Sequence, residues 1–367
     1  VRILHIAHRL PPEPGGKERY VGRLVREQLR RGHEVVVAHR RGDPLPGTEP
    51  LRPARTWPAR VVSLRSDEAG FAVECAGALP AAGPLDVVHL HGDHREALTL
   101  GPAARRLGVP LVLHVHGALA MRHRLVMPRA FRHVAGFAVV GARPRADLLA
   151  AGVTGRLIRV VPSGVDLGRL RRFRSGPRER GLVVSVGSLV PVKNHELTIE
   201  AFGRVRAARP DARLVIAGDG PERDRLRRLA ATCPGVELAG HLSGDEVCAL
   251  VSRAEVFVQS SRRLPGVGEG IPLAALEALA LGTAVLASSD ASLDPVVPPD
   301  CYRTFRSGSA AGLAAGLRDL LDRDGLPPQA TEKGMRAVED LDWPLVAARV
   351  ERLYERVVHR TPAPAGP

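Results

Sequence analysis

Ten short apolar runs, five on either side of a basic stretch containing glycine and proline, alternate with helical patterns along this chain. Few architectures satisfy that order, because strands separated by amphipathic helices pair in parallel and need helices on both faces of the sheet. The first five runs are Arg2–Ala7, Glu34–His39, Asp86–His91, Pro110–His116 and Gly136–Val140. The second five are Leu182–Gly187, Arg213–Ala217, Val236–Ala239, Val256–Gln259 and Ala284–Ala287. Between them, Lys17–Arg31 is the clearest helix: Val21, Leu24, Val25 and Leu29 share one face, arginines take the other, and Gly32 ends it. The reading is α/β, with two doubly wound domains. Gly168–Gly181 is the expected linker, and residues 361–367 are an expected disordered tail.

A length of 367 residues with 44% hydrophobic content suffices for two cores. Cys75, Cys233, Cys248 and Cys301 are too scattered for a zinc or redox motif, which fits reduced thiols in the cytoplasm. VRILHIA reads as a strand rather than a signal peptide, and no uncharged apolar run reaches the length of a membrane span. A membrane would therefore be met peripherally. Residues 1–170 carry 26 Lys and Arg against 14 Asp and Glu, whereas the rest carries 27 against 25. This asymmetry favours an anionic partner for the first half, such as a phospholipid surface, an acidic glycan or a polyprenyl phosphate; an arginine-rich solubilising surface reads the same way. Scarce aromatic residues and the absence of a recognised binding motif argue against nucleic acid. Within the basic half, Met121–Val134 mixes Met121, Leu125, Val126, Met127 and Phe131 with Arg122, Arg124, Arg129 and Arg132. That mixture suits either docking on anionic lipid or a helix packed on its own domain.

The most pointed chemical signal is EGIPLAALEALALG, Glu269–Gly282. Pro272 favours the first helical position, Gly282 a stop, and the helix between them is apolar all round except for Glu277. Such a helix should be buried, and a buried carboxylate needs a dedicated partner: a ligand hydroxyl pair or a structural arginine. Glu269 stands just ahead, where backbone N–H groups at Gly270 and Ile271 attract anions. Gly15 and Gly16 follow the first strand and open a helix, which also suits close approach by an anion, though not in the G-x-G-x-x-G spacing of dinucleotide enzymes.

The two glutamates, in an E-G-x-P-L-x-x-x-E-A frame followed by A-x-G-T-x-V, resemble the donor-site signature of glycosyltransferase family 4. Further pieces stand in the family's order: GGKE from Gly15, GHEVVV from Gly32, HVHG from His114, VPSGVD from Val161, VGSLVPVK from Val186 and AGDGPE from Ala217. The resemblance implies a GT-B fold: two Rossmann-like domains, residues 1–167 for the acceptor and 168–343 for the nucleotide-sugar donor, facing a central cleft. The terminal helix, 344–360, would cross back to the first domain. It implies a retaining glycosyltransferase that moves a sugar from a nucleotide diphosphate sugar, UDP-sugar favoured, to an acceptor hydroxyl on a glycolipid, glycan or small metabolite. The catalytic set it implies is His116, Lys193 and Glu269. The donor-binding set is Gly15, Gly16, Ser188, Lys193, Gly270, Ile271, Leu273 and Glu277, with Glu277 on the ribose hydroxyls. No metal and no cofactor are implied, and no D-x-D follows a strand.

Only Lys17, Lys193 and Lys333 among 53 cations are lysine, so a lysine at the family's diphosphate position is a selective match. Ser188 departs from the family's Arg after the glycine; Arg262 or Arg263 could replace that charge. Ile271–Pro272 stands in place of Phe-Gly, which bears on the choice of sugar. A GT-B nucleotide-sugar epimerase or phosphorylase, and a noncatalytic basic surface-binding protein, are the alternative readings.

Overall fold

The computed structural model describes residues 1–13, 15–174, 176–265 and 267–360. The expected disordered tail, 361–367, lies outside the described residues. Contacts divide the chain into an N-terminal unit, Val1–Gly164 with the chain from Trp343 onward, and a C-terminal unit, Val165–Asp342.

In the N-terminal unit, β1 (Arg2–Ala7), β2 (Glu34–Ala38), β3 (Glu49–Leu51), β4 (Val87–His91), β5 (Leu111–Val115), β6 (Val134–Val139) and β7 (Leu157–Val160) form one parallel sheet, ordered β3-β2-β1-β4-β5-β6-β7. Its helices are α1 (Gly16–Arg30), α2 (Trp57–Ser63), α3 (Asp67–Ala78), α4 (His94–Arg106), α5 (Met127–Ala130) and α6 (Ala142–Ala150). Strand alternation sorts the two faces. Leu4, Ile6, Leu90, Leu113 and Val139 pack against Phe71, Leu100 and Phe131 on one side. Ile3, Val87, Val112 and Ala138 pack against Tyr20 and Leu24 of α1 on the other.

In the C-terminal unit, α7 (Leu167–Leu170) precedes β8 (Glu179–Val186), β9 (Arg213–Ala217), β10 (Val236–Gly240), β11 (Ala254–Gln259), β12 (Ala284–Ser288) and β13 (Arg303–Phe305). These six form a parallel sheet ordered β10-β9-β8-β11-β12-β13. The helices are α8 (His195–Arg206), α9 (Arg223–Ala231), α10 (Gly244–Arg253), α11 (Leu273–Ala280), α12 (Ala310–Asp322) and α13 (Pro328–Glu339). The last helix, α14 (Trp343–Val358), belongs to the N-terminal unit: Val346, Val350, Leu353 and Val357 join the cluster around Ile3 and Tyr20. Gly136 makes room for it, since a Cβ there would lie 2.7 Å from Val357 Cγ1. Arg31 and His33 pair with Glu351, at 2.8 and 3.1 Å, to hold its polar side.

The expected linker, Gly168–Gly181, is instead part of the C-terminal fold. Leu167 and Leu170 sit in its core, and β8 already begins at Glu179. Two arginines of the stretch are held inside the unit. Arg174 donates to the Ala280 carbonyl at 2.7 Å, and Arg178 reaches the carbonyls of Leu281 and Ala254 and the Thr283 hydroxyl. They satisfy orphan carbonyls at the end of α11, where positive charge is favoured. The change of unit falls between Gly164 and Val165.

Each sheet reverses its strand order once, between β1 and β4 and between β8 and β11. Ligands of open parallel sheets bind beyond the strand carboxyl ends at such a reversal.

Candidate functional site

In the C-terminal unit, the segments leaving β8 and β11 flank the reversal, and they carry Lys193 and Glu269. The Lys193 ammonium forms an ion pair with Glu269 Oε1, both side chains largely buried. Glu269 also accepts from Ser261 Oγ at 3.2 Å, and Ser261 Oγ accepts from Gln259 Nε2 at 2.7 Å. The lysine backbone is fixed by a turn bond to the Val190 carbonyl, by Ser260 Oγ donating to the Lys193 carbonyl at 2.9 Å, and by Asn194 at φ 54° ahead of α8. Ser188 is exposed beside it. The adjoining AGDGPE loop serves architecture: Gly218 and Gly220 have positive φ, and a Cβ on either would overlap the Gly187 or Leu189 carbonyl. That close approach lets Leu189 N–H bond to the Asp219 carbonyl at 2.9 Å.

Helix α11 starts one residue later than expected, with Pro272 in extended backbone as its cap. Its first turn bonds run from Ala275 and Leu276 to the Pro272 carbonyl, so the N–H groups ahead are not used by the helix itself. The helix is not buried all round. Ala275, Leu276, Ala278, Leu279 and Ala280 are buried, but Leu273, Ala274 and Glu277 lie on a half-buried stripe, because the small Ala274 leaves a recess. Glu277 borders that recess with Val186, Val247, Cys248 and Val251. Burial and the Glu277 charge push the Cys248 thiol up to about 11. Ile271 is buried and Gly270 half-buried. Of the candidates to replace the missing arginine, Arg262 lies against the lysine segment, its Nε donating to the Pro191 carbonyl at 3.1 Å, while the Arg263 backbone is held by Asp290.

In the N-terminal unit, His116 follows β5, half-buried, with Nε2 3.0 Å from His91 Nδ1. It belongs to a larger group that the sequence reading did not assemble. His5, His89, His91 and His114 are fully buried on the α1 and α14 side of the sheet, their rings stacked or tilted 4.2 to 5.6 Å apart. The signal was present as two H-x-H pairs, His89/His91 and His114/His116, on strands whose register brings His5 beside His89. Loss of hydration lowers all five, His5 to about 4 and His114 to about 3, so the rings are neutral near pH 7. Gly15 and Gly16 lie at the start of α1. There Glu18 folds back so closely that a Cβ at Gly15 would overlap its carboxylate. The position expected for a ligand anion is thus taken by the chain's own acid. Beside the same reversal, burial first and then Asp93 raise the Glu96 carboxyl to about 7.

The apolar residues of the Met121–Val134 segment divide between the core and the surface. Met127 and Phe131 are core residues and Met121 packs against them, because α5 turns its apolar face inward. Leu125 and Val126 remain exposed among Arg122, Arg124, Arg129 and Arg132. Among the described residues, no helix is long and apolar enough to cross a membrane.

Two family models meet at Arg169: "Glycosyltransferase Family 4" over residues 14–169 and "Glycosyl transferases group 1" over 169–336. Anabaena Alr3699/HepE, solved in complex with UDP, shares the fold with a TM-score of 0.76 at 15% identity, covering 97% of this chain and 100% of that one. Two parallel-sheet Rossmann-like domains of this kind are the GT-B fold. The chain belongs to glycosyltransferase family 4. It is 28% identical to a glycogen synthase of Mycobacterium tuberculosis (96% of this chain, 94% of that protein). It is 29% identical to a GDP-mannose-dependent alpha-(1-6)-phosphatidylinositol dimannoside mannosyltransferase of the same species (88% of each).

Proposed function

We propose that this glycosyltransferase takes a sugar from a nucleoside diphosphate sugar, with uridine the first base to test, and transfers it with retention to an acceptor hydroxyl on a cell-envelope glycolipid or glycan. The observation that carries the reading is the Lys193–Glu269 pair at the β8/β11 reversal. A diphosphate arriving there draws the ammonium toward itself, and the lysine neutralises charge as the leaving group departs. Glu269, released from the pair, faces the transferred sugar; Glu277, one turn into α11, takes the ribose hydroxyls. Gly270, Ile271 and Leu273 lie at the helix start that favours an anion, and Ser188 lines the same loop. His116, Gly15 and Gly16 keep the sugar- and anion-contact roles that the family resemblance implies.

A lipid-linked acceptor fits the basic N-terminal half and the exposed Leu125 and Val126 among arginines. A lipid-acting relative supports the same choice. Four unbridged cysteines fit the cytoplasmic side of the membrane. Incubation with UDP-, GDP- and ADP-sugars in the presence of membrane extract tests the proposal. Release of nucleoside diphosphate that depends on acceptor, with a product of unchanged anomeric configuration by NMR, supports it. Epimerisation without acceptor, or phosphate-dependent breakdown of a glycan, rejects it.

A further inference from the structure

The buried histidines form two hydrogen-bonded rows. In the first, His116 Nε2 meets His91 Nδ1 at 3.0 Å, His91 Nε2 meets His5 Nδ1 at 2.9 Å, and His5 Nε2 meets Gln28 Oε1 at 2.7 Å. In the second, Gln28 Nε2 donates to Tyr354 Oη at 3.1 Å, Tyr354 Oη meets His89 Nδ1 at 2.6 Å, and His89 Nε2 meets His114 Nδ1 at 3.2 Å. Within a row the rings lie end to end: the His5 and His91 centroids are 5.2 Å apart, the planes within 16° of each other, and the bonding nitrogens stand between them. Between rows they lie face to face, His114 over His116 and His89 over His91, with centroids 4.2 Å apart. The rows join at the Gln28 amide. We propose that Gln28, acting through His5 and His91, is a positioning residue that holds the proton of His116 on Nε2 and so presents His116 Nδ1 to the sugar as a hydrogen-bond acceptor. This role rests on the sugar contact proposed above for His116.

The direction of every bond follows from one end of the pair of rows. His114 Nε2 is buried beside the Val161 backbone. The Val161 N–H is spent on the Val139 carbonyl at 2.7 Å, so only the Val161 carbonyl is left, and His114 Nε2 must carry its proton. A neutral imidazole has one donor and one acceptor nitrogen, and dehydration keeps these rings neutral. His114 Nδ1 therefore accepts from His89 Nε2, and His89 Nδ1 accepts the Tyr354 hydroxyl proton. Tyr354 Oη, having given its proton away, accepts from the Gln28 amide nitrogen, which turns the amide oxygen toward His5. His5 donates to that oxygen from Nε2 and accepts at Nδ1 from His91 Nε2. His91 Nδ1 then accepts from His116 Nε2. The nitrogen left over is His116 Nδ1, on the one ring of the first row that is only half-buried. A lone pair held there takes a hydroxyl that donates and disfavours an oxygen that can only accept, and a site built to pair a substrate hydroxyl discriminates strongly against an analogue lacking it.

Full-length protein labelled with 15N-histidine tests the assignment, because long-range 1H–15N NMR reads which ring nitrogen carries the proton; single substitutions assign the signals. In the wild type the expected result is one form each for His5, His91 and His116, protonated on Nε2. A proton on Nδ1 of His116, or a mixture of both forms, overturns the proposal. Gln28→Met removes the amide while keeping its length, and should turn His116 into a mixture and lower kcat/KM for the nucleotide sugar by up to about tenfold, the scale of one hydrogen bond. Gln28→Glu, which still offers His5 an oxygen, should keep the single form. A folded Gln28→Met protein whose His116 stays wholly Nε2-protonated contradicts the role of Gln28; if that variant does not fold, the wild-type spectrum still decides. Wild-type turnover in His116→Ala would instead reject the sugar contact, a result independent of the proton positions.

Discussion

The two units share a topology and differ in what they place at the strand-order reversal. The C-terminal unit sets a charged pair there, Lys193 with Glu269, at the mouth of the sheet. The N-terminal unit fills the equivalent region with neutral imidazoles, four of them fully buried. One parallel fold thus supports two electrostatic designs: an ion pair at the mouth of the sheet, and a dehydrated polar layer that resists becoming charged. The difference lies in which residue types alternate along the central strands, and each design has its own point of failure.

The largest expected effect strikes the charged design. Lys193→Ala lowers turnover at saturating donor by about a hundredfold, the scale of one lost oxyanion donor. Turnover near wild type moves the role to Arg262. The same substitution leaves Glu269 without its cation, so a steady-state comparison should include Glu269→Gln with Lys193→Ala. The double variant losing no more than the single one indicates that the two side chains act as a unit.

Next comes acid, which separates the two units. A histidine whose folded value lies below its ordinary 6.5 contributes stability that is complete above 6.5 and lost as pH falls toward the folded value. His5, at about 4, costs about 2 kcal/mol at pH 5 by itself. His89, His91, His114 and His116 act in the same direction. The C-terminal unit has His195, at about 4, in that condition. Hydrogen exchange between pH 7 and 5 should therefore show β1, β4 and β5 losing protection before β8 and β11. Simultaneous loss contradicts the contrast.

How far this contrast could be read from sequence follows from the residues. The long central strands were legible because their apolar runs are unbroken, as in Arg2–Ala7 and Arg213–Ala217. Edge strands β3, β7 and β13 were not, being three or four residues with few buried side chains. Lys193, Glu269 and Glu277 stood out as rare polar types in a recognisable frame. The histidine layer did not, because an H-x-H pair acquires meaning only when two neighbouring strands turn the same face inward. Arg174 and Arg178 looked like linker charges for the complementary reason: their partners are carbonyls about a hundred residues away.

A smaller effect concerns the surface of the N-terminal unit. Replacing Leu125 and Val126 by Ser should reduce cosedimentation with anionic vesicles at low salt by a few-fold, and replacing Arg122, Arg124, Arg129 and Arg132 by Ser should reduce it further, about 1 kcal/mol per arginine near the surface. Equal binding to neutral vesicles, or none at low salt, moves the acceptor toward a soluble molecule.

The central claim, that the donor nucleotide is held by the C-terminal unit through Glu277, is tested most directly by calorimetry with nucleoside diphosphate alone. The account predicts that Glu277→Ala weakens binding about tenfold or more, the worth of hydrogen bonds to a charged group, while His116→Ala leaves the dissociation constant within about twofold. An unchanged constant in a folded Glu277→Ala protein contradicts it.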